Sequence, residues 1–218
     1  MQNEKIFVNQ SYYHLYNRGV AKQKIFSEMN DCLRLLKTFG FYLDDAHKTK
    51  LSEISKKEFK IINLTEPKKP LVEIICFCLM PNHFHLLIKQ LIDNGISTFI
   101  RRSLDSYTRY YNRKHDRVGP LFQGRFKSVP VESDEYILHL SRYIHLNPFS
   151  NKLAAEADEY PWSSYNNYLR NQRTRICHPK FLLDLLGSTK EYHKFTEDYK
   201  EYTQSLEEIN KLLIEKGE

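Results

Sequence analysis

Two apolar segments joined by a short polar turn constrain the fold more than any other part of the chain. Residues 71–79 (LVEIICFCL) and 83–89 (HFHLLIK) have the length and composition of buried strands, and Pro81-Asn82 between them is typical of a turn. The two segments therefore predict an antiparallel hairpin with a tight connection. Such a hairpin is expected to belong to an antiparallel sheet with helices packed on it.

Five further segments repeat their apolar residues at the period of a strand or a helix. The first four are a strand at residues 11–18, a helix at residues 27–43 with Ser27 as its N-cap, a basic helix at residues 96–115 and a strand at residues 125–131. The fifth is a helix with Ser133 or Asp134 as its N-cap. It runs to about Leu146, and Pro148 is expected to end it. The order strand, helix, strand, strand, helix, strand, helix predicts an α+β fold: a ferredoxin-like antiparallel sheet with helices packed on it.

Two segments lie outside this plan. Residues 44–70 are polar and rich in lysine, and they are predicted to be an insertion that holds a short helix. Residues 170–218 are charged and have a helical pattern without a catalytic motif. The predicted organisation is therefore one domain at residues 1–169, with the insertion at 44–70, followed by a helical C-terminal extension at 170–218.

The composition favours a globular protein without a membrane segment. Hydrophobic residues make up 41% and charged residues 28% of the 218 residues, which is the balance of a folded chain. No apolar run approaches the roughly 20 residues that span a bilayer, and the N-terminus lacks the apolar core of a secretory signal. A cytoplasmic location is expected.

The four cysteines do not form a disulfide framework, because they are scattered: Cys32, Cys76, Cys78 and Cys177. Cys76 and Cys78 alternate along an apolar run and are expected in the core. A zinc site that combines them with His83 and His85 is a weaker alternative, because paired zinc-binding cysteines ordinarily wrap a turn.

Basic residues are concentrated in one segment. Residues 101–127 contain eight basic and two acidic residues, while the rest of the chain has 25 of each, so this segment carries the whole net charge of +6. Tyr107, Tyr110 and Tyr111 are interleaved with these cations, a combination typical of nucleic-acid binding, in which cations follow phosphates and rings stack on bases. The expected DNA contacts are Arg18, Arg102, Arg109, Arg113, Arg125 and Lys127.

Two local patterns carry possible chemistry. Side chains alternate along a strand, so His83 and His85 point to the same face, where two imidazoles can share one divalent metal ion. On the helix that begins at Asp134, Tyr143 shares a face with Tyr136 and Leu140, and Asn147 would continue that face. Each pattern alone is more often structural: a histidine pair in a strand, a packed tyrosine, and an asparagine that precedes a proline.

Four motifs in order carry a resemblance to a known family: MPNHFHLLIK, GPLFQGRFKS, YIHLNP and YPWSSY. Together with the YHLYNRG strand they resemble the single-tyrosine transposases of the HUH nuclease superfamily, and most closely the REP-associated tyrosine transposase type. HUH denotes histidine, hydrophobic residue, histidine, which is here His83-Phe84-His85. The resemblance covers about Tyr12 to Leu169.

The resemblance implies a specific site and reaction. His83 and His85 would hold a divalent metal, Mg²⁺ or Mn²⁺, with Asn147 as third ligand where better-studied insertion-sequence relatives carry glutamine. Tyr143 would be the nucleophile that nicks single-stranded DNA, usually next to a hairpin, and leaves a 5′-phosphotyrosine and a free 3′-hydroxyl before strand transfer. His14 and Gln123 could also lie near the site. Relatives act as dimers or as monomers, so both states stay open.

Two other functions remain as alternatives. The chain could be a decayed or domesticated transposase that binds single-stranded or hairpin nucleic acid without cleaving it. It could also be a metal phosphoesterase that activates water, although the strand of His83 and His85 has no acidic neighbour of the kind that such sites ordinarily use.

Overall fold

A four-stranded antiparallel sheet lies at the centre of the structure, which is a computed structural model that describes residues 6–47 and 49–199. Its strands lie in the order β2-β3-β1-β4, and they are β1 (Tyr12–Arg18), β2 (Val72–Met80), β3 (His83–Gln90) and β4 (Lys127–Val131). Helices connect β1 to β2 and β3 to β4, and this order is that of a ferredoxin-like fold. The predicted α+β fold is confirmed.

The predicted hairpin joins β2 to β3, and the rest of the chain holds its turn in place. Met80 pairs with His83, so only Pro81 and Asn82 lie between the strands. The Pro81 carbonyl accepts hydrogen bonds from the backbone N–H groups of Ile25 (2.8 Å) and Phe26 (3.1 Å). These external bonds explain how the turn is stable without the usual Asn-Gly pair.

Helices α1 (Met29–Tyr42) and α3 (Gly95–Lys114) cover one face of the sheet. The ring of Phe39 on α1 lies 6.2 Å from that of Phe84 on β3 and 5.4 Å from that of Phe99 on α3, measured between centroids. Each of these rings is fully buried. The apolar side predicted for the basic helix is therefore the side that packs on the sheet.

Helix α1 begins one residue later than Ser27 would require. Glu28 is its N-cap, and the Glu28 backbone N–H donates to Asp31 Oδ2 at 3.1 Å. The backbone N–H of Ser27 also donates to Asp31 Oδ2 at 2.9 Å. The predicted Ser27 cap is therefore wrong: Glu28 is the N-cap residue, and the Asp31 carboxylate accepts from the N–H groups of Ser27 and Glu28, which precede the helix.

Helix α4 (Asp134–Ser150) lies on the opposite face of the sheet. Ser133 is its N-cap and accepts from the Tyr136 N–H at 3.1 Å, as predicted. The prediction that Pro148 ends the helix is wrong, because Pro148 lies inside the last turn. A proline there removes one N–H, and the turn still closes because the Asn151 N–H donates to the Asn147 carbonyl at 3.1 Å.

The lysine-rich insertion contains helix α2 (Lys56–Leu64), so the predicted short helix is confirmed. Asp44 holds the two ends of the insertion together. Its carboxylate accepts from the backbone N–H groups of Ala46 (3.0 Å), Lys68 (2.8 Å) and Lys69 (2.9 Å). The insertion therefore leaves and rejoins the core at one place.

The chain after α4 returns along the free edge of β2. The Leu79 N–H donates to the Trp162 carbonyl at 2.9 Å, and the Ser164 N–H donates to the Phe77 carbonyl at 3.0 Å. Three short helices follow: α5 (Tyr165–Leu169), α6 (Lys180–Leu186) and α7 (Thr189–Glu197). Covering this edge removes a surface that would otherwise pair with another chain.

The predicted C-terminal extension is helical over much of residues 170–199, and its part at 200–218 lies outside the described residues. Its described part contacts β2, because the His178 N–H donates to the Ile74 carbonyl at 3.2 Å. Cys177 is buried there, as are the other three cysteines, all as free thiols. Among the described residues, no helix is long and apolar enough to cross a membrane.

A chain of buried hydrogen bonds joins α4 to β2 and α7. The Phe77 N–H donates to Ser164 Oγ at 2.9 Å, and Ser164 Oγ lies 2.8 Å from His145 Nε2. His145 Nδ1 lies 2.8 Å from the Tyr192 hydroxyl, which donates to Ser141 Oγ at 2.9 Å. If every group donates in the same direction along this series of hydrogen bonds, each donor has an acceptor. The series therefore holds the second half of α4 in a single position.

Removing one hydroxyl from this chain tests its contribution to stability. We expect Tyr192→Phe to lower the free energy of unfolding by about 1–3 kcal/mol, because the His145 Nδ1 and Ser141 groups would lose a buried partner. Urea unfolding at neutral pH measures the change. The control is Tyr136→Phe on the same helix, where the ring is exposed and a change within about 0.5 kcal/mol is expected. Equal effects of the two substitutions would contradict the assignment.

Candidate active site

The two predicted metal-binding histidines lie on the face of the sheet that α4 covers. Arg18 of β1 is the register partner of His83, and Tyr16 is the partner of His85. Lys127 of β4 is in turn the partner of Tyr16. Residues that pair in an antiparallel sheet point to the same side, so all five side chains belong to this face.

Helix α4 brings Tyr143 and Asn147 to the same place. The Tyr143 ring lies 5.5 Å from the His85 ring, edge to face, measured between centroids. Asn147 is buried, and its side chain lies close enough to His83 to influence the pKa of that imidazole. Because α4 continues through Pro148, Asn147 keeps helical geometry and shares a face with Tyr143. The fold therefore brings together the four residues predicted for the catalytic and metal-binding roles.

His85 has one ring nitrogen engaged and one without a partner. Its Nδ1 lies 2.9 Å from Nε2 of His14, a β1 residue whose ring stacks on it at 5.1 Å. Its Nε2 is buried and has no hydrogen-bond partner. A buried polar atom without a partner ordinarily costs about 1–3 kcal/mol, so such an atom calls for an explanation.

His83 is oriented by the residue before it. Its Nδ1 lies 2.6 Å from Asn82 Oδ1. Since an amide oxygen only accepts, the proton of the neutral ring lies on Nδ1, and Nε2 keeps its lone pair. Asn151 supports Asn147 in the same manner, because its Nδ2 donates to Asn147 Oδ1 at 3.2 Å and to the Asn147 carbonyl at 2.9 Å.

Loss of hydration keeps these histidines neutral. Burial lowers the pKa of His83 to about 4, although the nearby amide of Asn147 opposes the shift. Burial also lowers the pKa of His14 to about 4, and it lowers the pKa of His85 well below its ordinary value. Neutral imidazoles have the lone pair that a metal ion needs.

The residues of the site fit a divalent cation that also coordinates oxygen atoms of a substrate. No three His, Cys, Asp or Glu side chains among residues 6–47 and 49–199 form a group that could hold a metal. The available set is two imidazole nitrogens, one of them the unpartnered His85 Nε2, and the amide oxygen of Asn147. A neutral set of three leaves several coordination positions for phosphate oxygens, as Mg²⁺ and Mn²⁺ sites often have.

The cysteines next to these histidines do not support a zinc site. Cys76 and Cys78 are fully buried, and burial raises their pKa values well above the ordinary value. Thiols rather than thiolates are therefore expected at both positions, whereas zinc binds thiolates. Both residues belong to the core, as the sequence predicted.

The predicted DNA-binding residues divide between the two sides of the sheet. Arg18 and Lys127 lie on the histidine side, and Arg18 Nε donates to Gln123 Oε1 at 2.8 Å. Arg125 is exposed in the loop before β4. The others belong to α3 on the opposite side: Arg102, which forms a 2.8 Å ion pair with Asp45, and the exposed Arg109 and Arg113.

Two of the three tyrosines of the basic helix, Tyr107 and Tyr111, are buried and cannot stack on bases. Tyr107 is fully buried, and its hydroxyl donates to the Ile25 carbonyl at 2.5 Å. Tyr111 is also buried, and its hydroxyl lies 2.7 Å from Ser27 Oγ. The interpretation of these two rings as base-stacking groups is therefore wrong, because both pack α3 against the core.

Two supporting residues escaped the sequence analysis. Asn82 was interpreted only as a turn residue, although its position directly before His83 was a signal that it could orient that ring. Asn151 gave no signal, because its role depends on the helix continuing past Pro148. His14 and Gln123, which were expected near the site, do contact His85 and Arg18.

The neutral histidines predict a loss of stability in mild acid. The pKa values of His14 and His83 are lowered from 6.5 to about 4 and that of His145 to about 3, each by burial. The unfolded chain takes up protons at these positions below about pH 6.5, and the folded chain does not until about pH 4, so acid favours unfolding. Each histidine contributes up to about 1.4 kcal/mol per pH unit in this window.

Urea unfolding across this pH window measures the effect. We expect the free energy of unfolding to be highest near neutral pH and to fall as the pH falls from about 6.5 to about 4. His145→Gln should make the fall less steep, because one buried histidine is removed. A stability that does not change across the window would show that the folded chain protonates these rings as readily as the unfolded chain.

Comparisons with known proteins match the chain to one family of proteins. The family described as "Transposase IS200 like" matches residues 7–147, which is well over half of the chain. A "Putative REP-associated tyrosine transposase" of Haemophilus influenzae is 27% identical over 105 residues, which cover 43% of this chain and 59% of that protein. The match thus spans less than two thirds of the relative's length.

A solved structure shares the fold. It is described as the "Structure of the REP associates tyrosine transposase bound to a REP hairpin", and it superposes with a TM-score of 0.56 at 13% sequence identity. The superposition covers 80% of this chain and 89% of that one. At this identity the likeness supports the architecture, including the sheet with helices on both faces.

Proposed function

Because the chain belongs to the IS200-like transposase family, we propose that it cuts and rejoins single-stranded DNA through a covalent bond to Tyr143. The observation that carries the proposal is the contact between α4 and the sheet, which sets the Tyr143 ring 5.5 Å from the His85 ring and buries Asn147 beside His83. The proposed nucleophile and the three proposed metal ligands therefore lie together within one copy of the chain.

In the proposed reaction the Tyr143 oxygen attacks the phosphorus of a DNA phosphodiester. The new bond joins that oxygen to phosphorus, and the bond from phosphorus to the 3′ oxygen breaks. The tyrosine loses its proton, and the departing 3′ oxygen gains one. The products are a 5′-phosphotyrosine and a free 3′-hydroxyl, and the exchange of one phosphodiester for another conserves the energy for rejoining.

His83, His85 and Asn147 are the residues that would hold Mg²⁺ or Mn²⁺. When bound, the cation would neutralise charge on the non-bridging phosphate oxygens and orient the phosphate. The chain itself supplies the orientation of the ligands. Asn82 fixes the ring of His83, and Asn151 fixes the amide of Asn147.

We further propose that the substrate carries a hairpin, since the solved structure with the same fold is described as bound to a REP hairpin. Arg18, Arg125 and Lys127 would contact phosphates of the strand that is cut, because they lie on or beside the histidine side of the sheet. The α3 residues Arg102, Arg109 and Arg113 would contact DNA only where it extends around the opposite side.

Replacing the nucleophile tests the chemistry directly. We expect Tyr143→Phe to form no covalent adduct with a hairpin-bearing single-stranded oligonucleotide in the presence of Mn²⁺, because the attacking oxygen is absent. Mass spectrometry of the protein after incubation measures the adduct. The matched control is Tyr136→Phe, two turns earlier on the same helix, which should form the adduct as the wild type does.

Other outcomes of this experiment would contradict the proposal in different ways. An adduct with Tyr143→Phe would place the nucleophile elsewhere. Binding without any adduct in the wild type, unaffected by a chelator, would favour the non-cleaving alternative. A free 5′-phosphate without an adduct would favour a phosphoesterase that uses water.

Charge removal on the two sides of the sheet tests the DNA contacts. We expect Arg18→Ala with Lys127→Ala to weaken single-stranded DNA binding and to lower the slope of log affinity against log salt by roughly 1.4, about 0.7 for each lost phosphate contact. Arg109→Ala with Arg113→Ala removes the same charge from α3. This pair should weaken the binding of a short single-stranded DNA less than the first pair does. Fluorescence anisotropy over a salt series measures both. An equal loss from the two pairs would contradict the assignment of the strand to the histidine side.

A further inference from the structure

His14 is a third histidine in the candidate site without a role in the proposed chemistry. It lies on β1, and its ring stacks on the His85 ring with an interplanar angle of 20°. Its Nε2 lies 2.9 Å from His85 Nδ1. Its ring also lies 5.0 Å from the Tyr16 ring and 6.4 Å, edge to face, from the Tyr143 ring. His14 is therefore held by strand register and by aromatic neighbours on three sides.

Two neutral rings that share one hydrogen bond hold one proton in it, so two arrangements are possible. In the first, His85 donates from Nδ1 and His14 accepts at Nε2. In the second, His14 donates from Nε2 and His85 accepts at Nδ1. The first leaves a lone pair on His85 Nε2, and the second leaves an N–H there.

The surroundings of His85 Nε2 distinguish these arrangements. This atom is buried and has no hydrogen-bond partner. In the second arrangement a buried N–H has no acceptor, and a cation cannot satisfy it. In the first, Nε2 carries a lone pair, which a cation held beside the neighbouring His83 ring, 5.0 Å away between centroids, can satisfy.

We propose that His14 is a positioning residue that accepts a hydrogen bond from His85 Nδ1 and thereby keeps His85 Nε2 free of a proton and directed at the metal. The role of this bond in metal binding rests on the proposed function, whereas the position of the proton does not. His14 itself is not a metal ligand in this arrangement, because its Nε2 accepts the hydrogen bond and its Nδ1 carries a proton.

The position of the proton can be measured without metal. Long-range ¹H–¹⁵N correlation spectra of the full chain at neutral pH, with a chelator present, report which imidazole nitrogen is protonated. We expect His85 to be protonated at Nδ1 alone, with its signals identified by their loss in His85→Gln. In His14→Leu, which lacks the acceptor, a mixture of the two tautomers is expected. In His14→Gln the amide oxygen can replace Nε2 as acceptor, so the single tautomer should return.

Metal binding gives a second measurement. Electron paramagnetic resonance titration with Mn²⁺, without DNA, should show affinity about 10–100-fold weaker for His14→Leu than for the wild type. His14→Gln should stay within a few-fold of the wild type. The matched control is His178→Gln, since the His178 ring is hydrogen-bonded to Glu73 at the other end of β2 (3.1 Å). It should bind Mn²⁺ as the wild type does.

Each contrary result would overturn the proposal. Protonation of His85 at Nε2 in the wild type would reverse the hydrogen bond. Mn²⁺ affinity in His14→Leu equal to that of the wild type would reduce His14 to a packing residue. Loss of affinity in His14→Gln as large as in His14→Leu would make the imidazole itself a ligand. Thermal unfolding of both variants identifies a loss that comes from misfolding, and the glutamine variant still tests the proposal if the leucine variant does not fold.

Failure of this proposal is distinguishable from failure of the proposed function. If His85 has the expected tautomer and Mn²⁺ binding follows the acceptor at position 14, but no adduct forms at Tyr143, the proposed cleavage is wrong and the role of His14 stands. If the adduct forms while His85 is protonated at Nε2, the proposed cleavage stands and the proposed role of His14 is wrong. A wild type that binds no Mn²⁺ would overturn the role of His14 in metal binding.

Discussion

The docking of α4 on the histidine face of the sheet is the contact on which the site depends. The sheet alone presents two imidazoles, and the helix alone presents a tyrosine and an amide. Ile144 and Leu140 of α4 are buried, and burying such side chains contributes about 1.5–3 kcal/mol each. The hydrogen bonds of His145 then fix the position of the helix. On α4, the residues proposed to take part in the reaction, Tyr143 and Asn147, therefore alternate with residues that fix the helix in place, such as Ile144 and His145.

The sequence predicted the parts of the site that depend on local geometry. The period of a strand places His83 and His85 on one face, and the period of a helix places Tyr143 one turn before Asn147. The ferredoxin-like order of strands followed from the same periods. What the sequence did not predict depends on contacts between distant segments. The helix continues past Pro148 because the Asn151 N–H donates to the Asn147 carbonyl. The expectation that a proline ends a helix considers the proline alone and does not include that hydrogen bond.

The same distinction explains the basic segment. A cluster of cations along the sequence is a surface cluster only if the segment folds into one surface, and residues 101–127 do not. They form α3 on one side of the sheet and then pass to β4, whose Lys127 faces the other side. The interleaved Tyr107 and Tyr111 alternate with the cations because one side of an amphipathic helix is apolar. Their burial follows from the packing of α3 on the sheet, which the charge pattern alone does not reveal.

The polar groups of the site lie on a largely apolar face, where each loses hydration and needs a partner. Most have one within the chain: Asn82 for His83, Asn151 for Asn147, and His14 for His85. The exception is Nε2 of His85, which is buried without a partner. Within this site the cost of an unsatisfied polar group therefore falls on Nε2 of His85. Such a cost is reasonable where a ligand completes the site, and the His85 ring lies 5.0 Å from the His83 ring and 5.5 Å from the Tyr143 ring, measured between centroids.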